Sequence, residues 1–230
     1  MAVLSPASVD AVIFDVDGVI TDTAEAHAAS WKRLLDEYRE ERLRRGDSVY
    51  PVFDIKTDYL KHLDGRPRFQ ALHDYLLAQG IRLPWGDPGD DPQRETIYSL
   101  GVRKNAYFRA WLESHQVRAY PDAVEVIDIL RCWGIKLAVI SASRNCSAVL
   151  ASAGVADRFE VRVDGNDMAR LGLPGKPDPA IFRRAAELLG IVPARSAMVE
   201  DSIAGVEAGV SGGFGLVVGV ARGGSAPLLR

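Results

Sequence analysis

Residues 11–25 read Ala-Val-Ile-Phe-Asp-Val-Asp-Gly-Val-Ile-Thr-Asp-Thr-Ala-Glu, and the fold is decided there. Ala11–Val16 is a short apolar run ended by Asp17-Gly18. A run without polar alternation suits a strand buried on both faces of a parallel sheet. Asp22-Thr23-Ala24-Glu25 has capping-box spacing with Asp22 at the N-cap. A helix is therefore expected at once, carrying Trp31, Leu34 and Leu35, with His27 one turn before Trp31.

From Asp36 to Gly46 (DEYREERLRRG) opposite charges often fall three or four residues apart. That is the pattern of a solvated helix face with weak ion pairs rather than of a basic docking surface. Residues 47–58 read as a loop, helical segments follow through Ala78, and Gly80 is the expected stop. Leu83–Pro92 (LPWGDPGDDP) is the most loop-like stretch, and Gln93–His115 reads as one or two more helices. No strand signal appears between about Ala24 and Glu113.

Beyond that block the pattern changes. Pro121 opens a helix with Ala123, Val126, Ile127 and Leu130 on one face, and Gly134 stops it. Lys136–Ile140 is a buried-type strand, Asn145–Ala153 a helix closed by Gly154, and Phe159, Val161 and Val163 alternate as a half-exposed strand. Pro179–Leu189 is a helix, Ala197–Val199 a strand, Ile203–Val210 a helix and Leu216–Val220 a strand. Strands alternating with helices mean a parallel sheet. The expected fold class is α/β: a doubly wound, Rossmann-like core of residues 1–22 and 115–230, with an all-helical cap domain of residues 23–114 inserted after the first strand.

Composition excludes several classes. The 230 residues carry 28 Lys and Arg against 31 Asp and Glu, a formal net charge of −3, with 47% hydrophobic and 26% charged residues. That mixture rules out a disordered tail protein or a collagen-like repeat. It also argues against nucleic-acid binding through bulk positive charge. No apolar run approaches the roughly 20 residues that cross a bilayer, and residues 1–10 lack the marks of a signal peptide. Cys132 and Cys146 form no framework and read as free thiols. The expectation is a cytoplasmic protein with no nucleic-acid or membrane partner, monomeric or weakly self-associating.

Ligands of open parallel sheets bind outside the carboxyl ends of the strands. Asp15 ends the first expected strand and Asp17 follows it; Ser141 ends the second, within Ser141-Ala142-Ser143-Arg144-Asn145. Lys176 precedes a helix in Gly175-Lys176-Pro177-Asp178-Pro179, and a later strand ends at Glu200-Asp201-Ser202. Each alone is an ordinary turn or cap residue. Together they put four carboxylates at one sheet edge, which repel unless a hard cation and the lysine offset them.

Asp15-Val16-Asp17-Gly18-Val19-Ile20-Thr21-Asp22-Thr23 resembles the first motif of the haloacid dehalogenase-like superfamily, and Ser141, Lys176 and Glu200-Asp201 match its second, third and fourth motifs in order. The resemblance covers nearly the whole chain and implies that the helical insert is a mobile cap. It implies phosphoryl transfer, with Asp15 as nucleophile and Asp17 as acid/base. Ser141 and Lys176 would bind the transferring group. Asp15, the main-chain carbonyl of Asp17, Glu200 and Asp201 would hold Mg²⁺, which oxygen ligands favour over Mn²⁺ or Co²⁺.

Residues 15–25 are most similar to the β-phosphoglucomutase-like subfamily. By that similarity Thr23 falls at the cap hinge, His27 near the acid/base, Gly65 and Arg68 in a cap phosphate-binding segment, and Lys104-Asn105 in a sugar-contacting segment. Ala142, Ser143, Arg144 and Asn145 resemble the segment that, with the cap arginine, holds a second phosphate. Arg144 stands where a lysine is common, and arginine can bind phosphate bidentately. The implied reaction takes β-D-glucose 1-phosphate to glucose 6-phosphate through the 1,6-bisphosphate, which would also be the activator. The alternative is a sugar-phosphate phosphatase that releases the same aspartyl phosphate to water. A non-catalytic phosphosugar-binding regulator is disfavoured by the intact Asp15, Asp17, Lys176 and Asp201.

The pattern is departed from twice. The cap has extra chain around Glu40–Asp58 and Pro84–Pro92, which would reshape a sugar pocket. The chain also reaches Leu229-Arg230 soon after a Gly-rich segment, where a final helix or strand is expected to follow. Trp31, Trp85, Trp111 and Trp133 read as core or domain-interface residues, and Cys146 as structural.

Overall fold

A central strand flanked on both sides by parallel neighbours organises the structure, a computed structural model that describes residues 4–91 and 93–222. In chain order the elements are β1 (Ala11–Asp15), α1 (Ala24–Arg45), a π-helical segment (Ile55–Leu63), α2 (Arg68–Ala78), α3 (Ile97–Ser114), α4 (Pro121–Cys132), β2 (Lys136–Ile140), α5 (Cys146–Ser152), β3 (Val161–Val163), α6 (Gly165–Leu171), α7 (Ala180–Leu189), β4 (Ser196–Glu200), α8 (Ile203–Gly212) and β5 (Leu216–Gly219). The strand order is β3-β2-β1-β4-β5, all parallel, with Asp15 opposite Ile140 and Phe14 opposite Val199. Every residue of β1 is buried, which is why its sequence shows no alternation. The chain winds outward from β1 in one direction and from β4 in the other, so the crevice of the sheet opens at their carboxyl ends. The expectations attached to the first three residues, Pro92 and Leu229-Arg230 lie outside the described residues.

Two compact units result: residues 1–24 with 116–230, and residues 25–115. In the first, α7 lays Ile181, Phe182, Ala185, Ala186 and Leu189 into one cluster with Ile13, Ala138, Ile140 and Met198. Burial of each large aliphatic or aromatic side chain contributes about 1.5–3 kcal/mol. α4 turns Ala123, Ile127 and Leu130 inward, whereas Val126, expected on that face, is exposed with Ile129 and Trp133. The inward stripe is narrower than the sequence pattern suggested. The sequence reading had no helix at α6, which contains Met168 as its one large buried side chain and depends on a cap at Asp164.

The second unit packs Trp31, Leu34, Leu35 and Tyr38 of α1 against Leu72, Tyr75 and Leu76 of α2 and Ile97 and Leu100 of α3. The extra chain after α1 is drawn into this core through Tyr50 and Phe53. Its backbone is tied down by Arg39 and Arg42 of the charge run, which donate to the carbonyls of Tyr50 and Ser48, and by Lys32 ahead of the run, which donates to that of Phe53. The run is thus more than a solvated face; the i,i+4 pairs Lys32–Asp36 and Arg33–Glu37 each draw their cation from just ahead of it. Trp31 is buried, but Trp85 and Trp133 are exposed, so neither of those two is a core residue. Asp22 does not cap α1, which starts at Ala24; its carboxylate accepts from the Arg118 N–H at 3.0 Å, where the chain returns from the second unit. No helix among the described residues is long and apolar enough to cross a membrane.

Candidate active site

The turn after β1 is fixed by its own backbone. Ile20 and Thr21 donate to the Val16 carbonyl, Gly18 donates to that of Thr21, and Gly18 takes φ +84°. A Cβ on Gly18 would stand 1.8 Å from Oδ2 of Asp201, so only glycine lets that carboxylate lie against the turn. Asp17 then projects with both oxygens held by hydroxyls. Thr23 donates to Oδ1 at 2.5 Å and Ser141 donates to Oδ2 at 3.0 Å. Thr21, buried and unremarked in the sequence reading, donates to the Val16 carbonyl and lies 2.8 Å from the Thr23 hydroxyl.

Asp15, at the end of β1, meets Lys176 at 2.5 Å, and the same ammonium bonds Glu200 at the end of β4. Side-chain exposure is 1% for Lys176, 7% for Asp15 and 0% for Glu200. Burial pushes the Asp15 carboxyl well above the ordinary carboxylate range, against the pull of Lys176 and with the help of Glu200 and Asp17. Burial alone would lower Lys176, yet the attraction of Asp15 and Glu200 outweighs it and holds the ammonium above its usual value. Glu200 also accepts from the N–H and hydroxyl of Ser202, the N-cap of α8, at 2.8 and 2.9 Å. A Cβ on Gly205 would fall 2.0–2.5 Å from that carboxylate, so α8 approaches it through a glycine. A small residue one turn into a helix was the available signal for that approach.

Among the described residues no three His, Cys, Asp or Glu side chains converge as a ready-made metal cage. Glu200, expected as a ligand, has both oxygens on protein donors. The remaining donors are all oxygen: the Asp15 carboxylate, the Asp17 carbonyl and the Asp201 carboxylate beside Gly18. With Asp17 and Glu200 they set four carboxylates against the Lys176 ammonium. An all-oxygen, net-negative set of this kind fits a hard divalent cation whose coordination water completes.

The loop after β2 is braced through its hydroxyls. Ser141 Oγ accepts from the Ser143 N–H at 3.0 Å, and Ser143 Oγ from the Asn145 N–H at 3.2 Å. The Ala142 carbonyl lies against Gly165. Cys146, next along, is buried, and burial pushes its thiol well up, which suits an inert structural residue.

In the second unit the structure joins the expected cap residues in two pairs. Arg68, the first residue of α2, donates to Oδ1 of Asn105 on α3 at 2.8 Å. Gly65, at φ +68°, turns the chain into α2 just ahead of it. Lys104, buried on α3, lies 2.8 Å from Nδ1 of His27, whose ring stacks on Phe108 at 3.8 Å. A Lys104 ammonium can donate to Nδ1, an arrangement that leaves the imidazole proton on Nε2. The Lys104 charge lies 5.2 Å from the ring centroids of both Trp31 and Phe108. Gly101, which the sequence reading passed over, lets α2 close on α3, since a Cβ there would stand 2.5 Å from the Phe69 ring.

Known proteins resemble this chain over most of its length. Residues 9–213 match the family model of the haloacid dehalogenase-like hydrolases. The chain is 39% identical over 222 residues to a β-phosphoglucomutase of Mycobacterium tuberculosis, covering 96% of this chain and 84% of that protein. It is 32% identical over 214 residues to the β-phosphoglucomutase of Bacillus subtilis, covering 93% and 84%. The crystal structure of β-phosphoglucomutase from Clostridium difficile superposes with a TM-score of 0.72 at 25% identity, covering 93% of this chain and 85% of that one.

Proposed function

The chain belongs to the haloacid dehalogenase-like hydrolase family, and from that premise we propose that it transfers phosphoryl groups through an aspartyl phosphate, acting as a β-phosphoglucomutase. The observation that carries the reading is the buried Lys176 bridging Asp15 and Glu200 at the carboxyl ends of adjacent strands, with Asp17 held beside them by Ser141 and Thr23.

Asp15 attacks phosphorus in line, the ester P–O bond breaks, and the phosphoryl group passes to the carboxylate. A carboxylate approaching a phosphate dianion meets like charge. Lys176 relieves that repulsion as a compact cation with three donors, and Ser141 adds a hydroxyl to the phosphoryl oxygens. Mg²⁺, held by Asp15, the Asp17 carbonyl and Asp201, would supply the rest of the compensating charge at this all-oxygen site, while Glu200 keeps to Lys176 and Ser202. Asp17 gives its proton to the leaving sugar oxygen. In the return step it takes a proton from the free 6-hydroxyl of an incoming β-glucose 1-phosphate, which attacks phosphorus, forms the 1,6-bisphosphate and frees Asp15. The hydroxyls of Thr23 and Ser141 aim the Asp17 carboxyl for both steps.

A mutase must also hold the phosphate that is not reacting. The reading gives this task to Ser143, Arg144, Asn145 and Arg68, with the sugar assigned to Lys104 and Asn105 and His27 kept as a candidate catalytic residue. The test is an assay with Mg²⁺, β-glucose 1-phosphate and a trace of glucose 1,6-bisphosphate, following glucose 6-phosphate and free phosphate separately. Glucose 6-phosphate forming well ahead of phosphate is the expected result. Phosphate release with little isomerised product would reassign the chain to sugar-phosphate hydrolysis by the same aspartyl phosphate.

A further inference from the structure

α6 contributes no group to the proposed chemistry, yet its first turn is built against the backbone of the loop assigned to the second phosphate. The Gly165 N–H donates to the Ser143 carbonyl at 3.2 Å, and Nδ2 of Asn166 donates to the Arg144 carbonyl at 3.1 Å. A Cβ on Gly165 would stand 2.5 Å from the Ala142 carbonyl oxygen and 3.0 Å from both the Arg144 nitrogen and the Ser143 carbonyl carbon. Those neighbours are main chain and cannot rotate aside as a side chain would. Gly165 is therefore fixed as glycine by close approach.

The turn that presents these contacts is itself rigid. Asp164 is 2% exposed and accepts from the N–H groups of Asn166 and Asp167 at 2.8 and 3.3 Å, while the Asp167 carboxylate accepts from the Asp164 N–H at 3.1 Å. That reciprocal cap anchors a helix of seven residues. Ser141 is anchored separately, because its N–H donates to the Val163 carbonyl at 3.1 Å and prolongs the β2–β3 ladder. The sheet thus sets the residue that meets the reacting phosphoryl group, and α6 sets the three residues after it.

We infer that Gly165 and Asn166 are positioning residues for recognition of the second phosphate, acting through the backbone of Ala142–Arg144. The inference rests on the reading of Ser143–Asn145 as a phosphate-holding loop. By fixing that backbone, α6 sets the direction in which Ser143, Arg144 and Asn145 leave it. The property that depends on α6 is the preference for a ligand with two phosphoryl groups over one with a single group.

The experiment compares KM for glucose 1,6-bisphosphate with kcat/KM for hydrolysis of p-nitrophenyl phosphate, which carries one phosphoryl group. The proteins are wild type, Asn166→Ala, Gly165→Ala, Arg144→Ala and the Asn166→Ala/Arg144→Ala double variant. Loss of one hydrogen bond predicts a rise of about three- to tenfold in KM for the bisphosphate in Asn166→Ala, with p-nitrophenyl phosphate hydrolysis unchanged. Gly165→Ala gives a larger rise of the same kind. In the Arg144→Ala background the Asn166→Ala effect shrinks, because the bond to the residue-144 carbonyl remains but no longer aims an arginine side chain. Equal losses on both substrates, no change on either, or full additivity in the double variant would overturn the inference. Asn166 is exposed, so its variant keeps the test open even if Gly165→Ala does not fold. If Arg144→Ala itself leaves KM for the bisphosphate unchanged, the second-phosphate reading fails and the inference fails with it. If Arg144→Ala raises KM and Asn166→Ala does not, only the role of α6 fails.

Discussion

Replacing Lys176 with methionine keeps the length of the buried stem and removes the ammonium that joins Asp15 to Glu200. Two unit charges about 4 Å apart attract by about 4 kcal/mol at an effective dielectric of about 20, so two such pairs amount to roughly 8 kcal/mol before desolvation is subtracted. Desolvation of three buried ions offsets much of this, and removing one partner of a buried pair costs about 3–5 kcal/mol in practice. The loss does not fall evenly. Glu200 keeps the N–H and hydroxyl of Ser202 at 2.8 and 2.9 Å, so Asp15 bears most of it. Lys176→Met should lower the unfolding free energy by about 3–5 kcal/mol. Asp15→Asn in the same chain should recover at least half of that, since the stranded charge is then absent. Urea unfolding at pH 7 with EDTA present, followed by far-UV circular dichroism, measures both. A Lys176→Met protein within about 1 kcal/mol of wild type would refute the charge argument. So would a double variant no more stable than the single one.

Asp15→Asn alone should abolish turnover while leaving the circular dichroism spectrum intact; turnover near the wild-type rate would remove Asp15 from the nucleophile's role. Asp17→Ala should slow turnover by roughly 10²–10⁴-fold, the usual share of a general acid–base group, and a rate within a factor of about two would sink that assignment. Arg68→Ala should damage isomerisation of β-glucose 1-phosphate far more than hydrolysis of p-nitrophenyl phosphate, and equal losses would show that Arg68 does not bind the second phosphate. Burial raises Glu95, but hydrogen bonds from Arg45 and Tyr38 outweigh it and hold the carboxyl below its usual 4.5. A depressed folded value means stability that is present above pH 4.5 and lost as pH falls through the lower value. Glu95→Gln should therefore flatten the acid limb of a melting-temperature profile between pH 7 and about 2, and an unchanged profile would mean that this cluster contributes nothing.

The sheet, and the grouping of polar residues at its strand ends, can be read from the sequence. Fully buried strands such as Ala11–Asp15 and Lys136–Ile140 announce themselves as unbroken apolar runs. A parallel sheet then sends their carboxyl ends to one edge, so Asp15, Asp17, Ser141, Lys176 and Glu200-Asp201 were legible from position alone. The helices of the insert were legible more coarsely, as a first helix carrying Trp31, Leu34 and Leu35, helical segments through Ala78 and one or two more over Gln93–His115.

Short elements and close approaches were not. α6 has little apolar periodicity to read and exists because Asp164 caps it. Val126 looked buried because its spacing fits a helix face, and only packing shows that the inward stripe stops at Ala123, Ile127 and Leu130. Asp22 had the spacing of a cap, and the returning chain at Arg118 claimed it. Gly101, Gly165 and Gly205 are unremarkable letters until the chain brings Phe69, the Ala142–Arg144 backbone and Glu200 against them. A one-dimensional pattern records how often a residue type recurs along an element. Which hydroxyl aims Asp17, which ammonium bridges Asp15 and Glu200, and which glycine must lack a Cβ depend on groups 5 to 161 residues apart meeting within a few ångströms. Only the tertiary structure decides that.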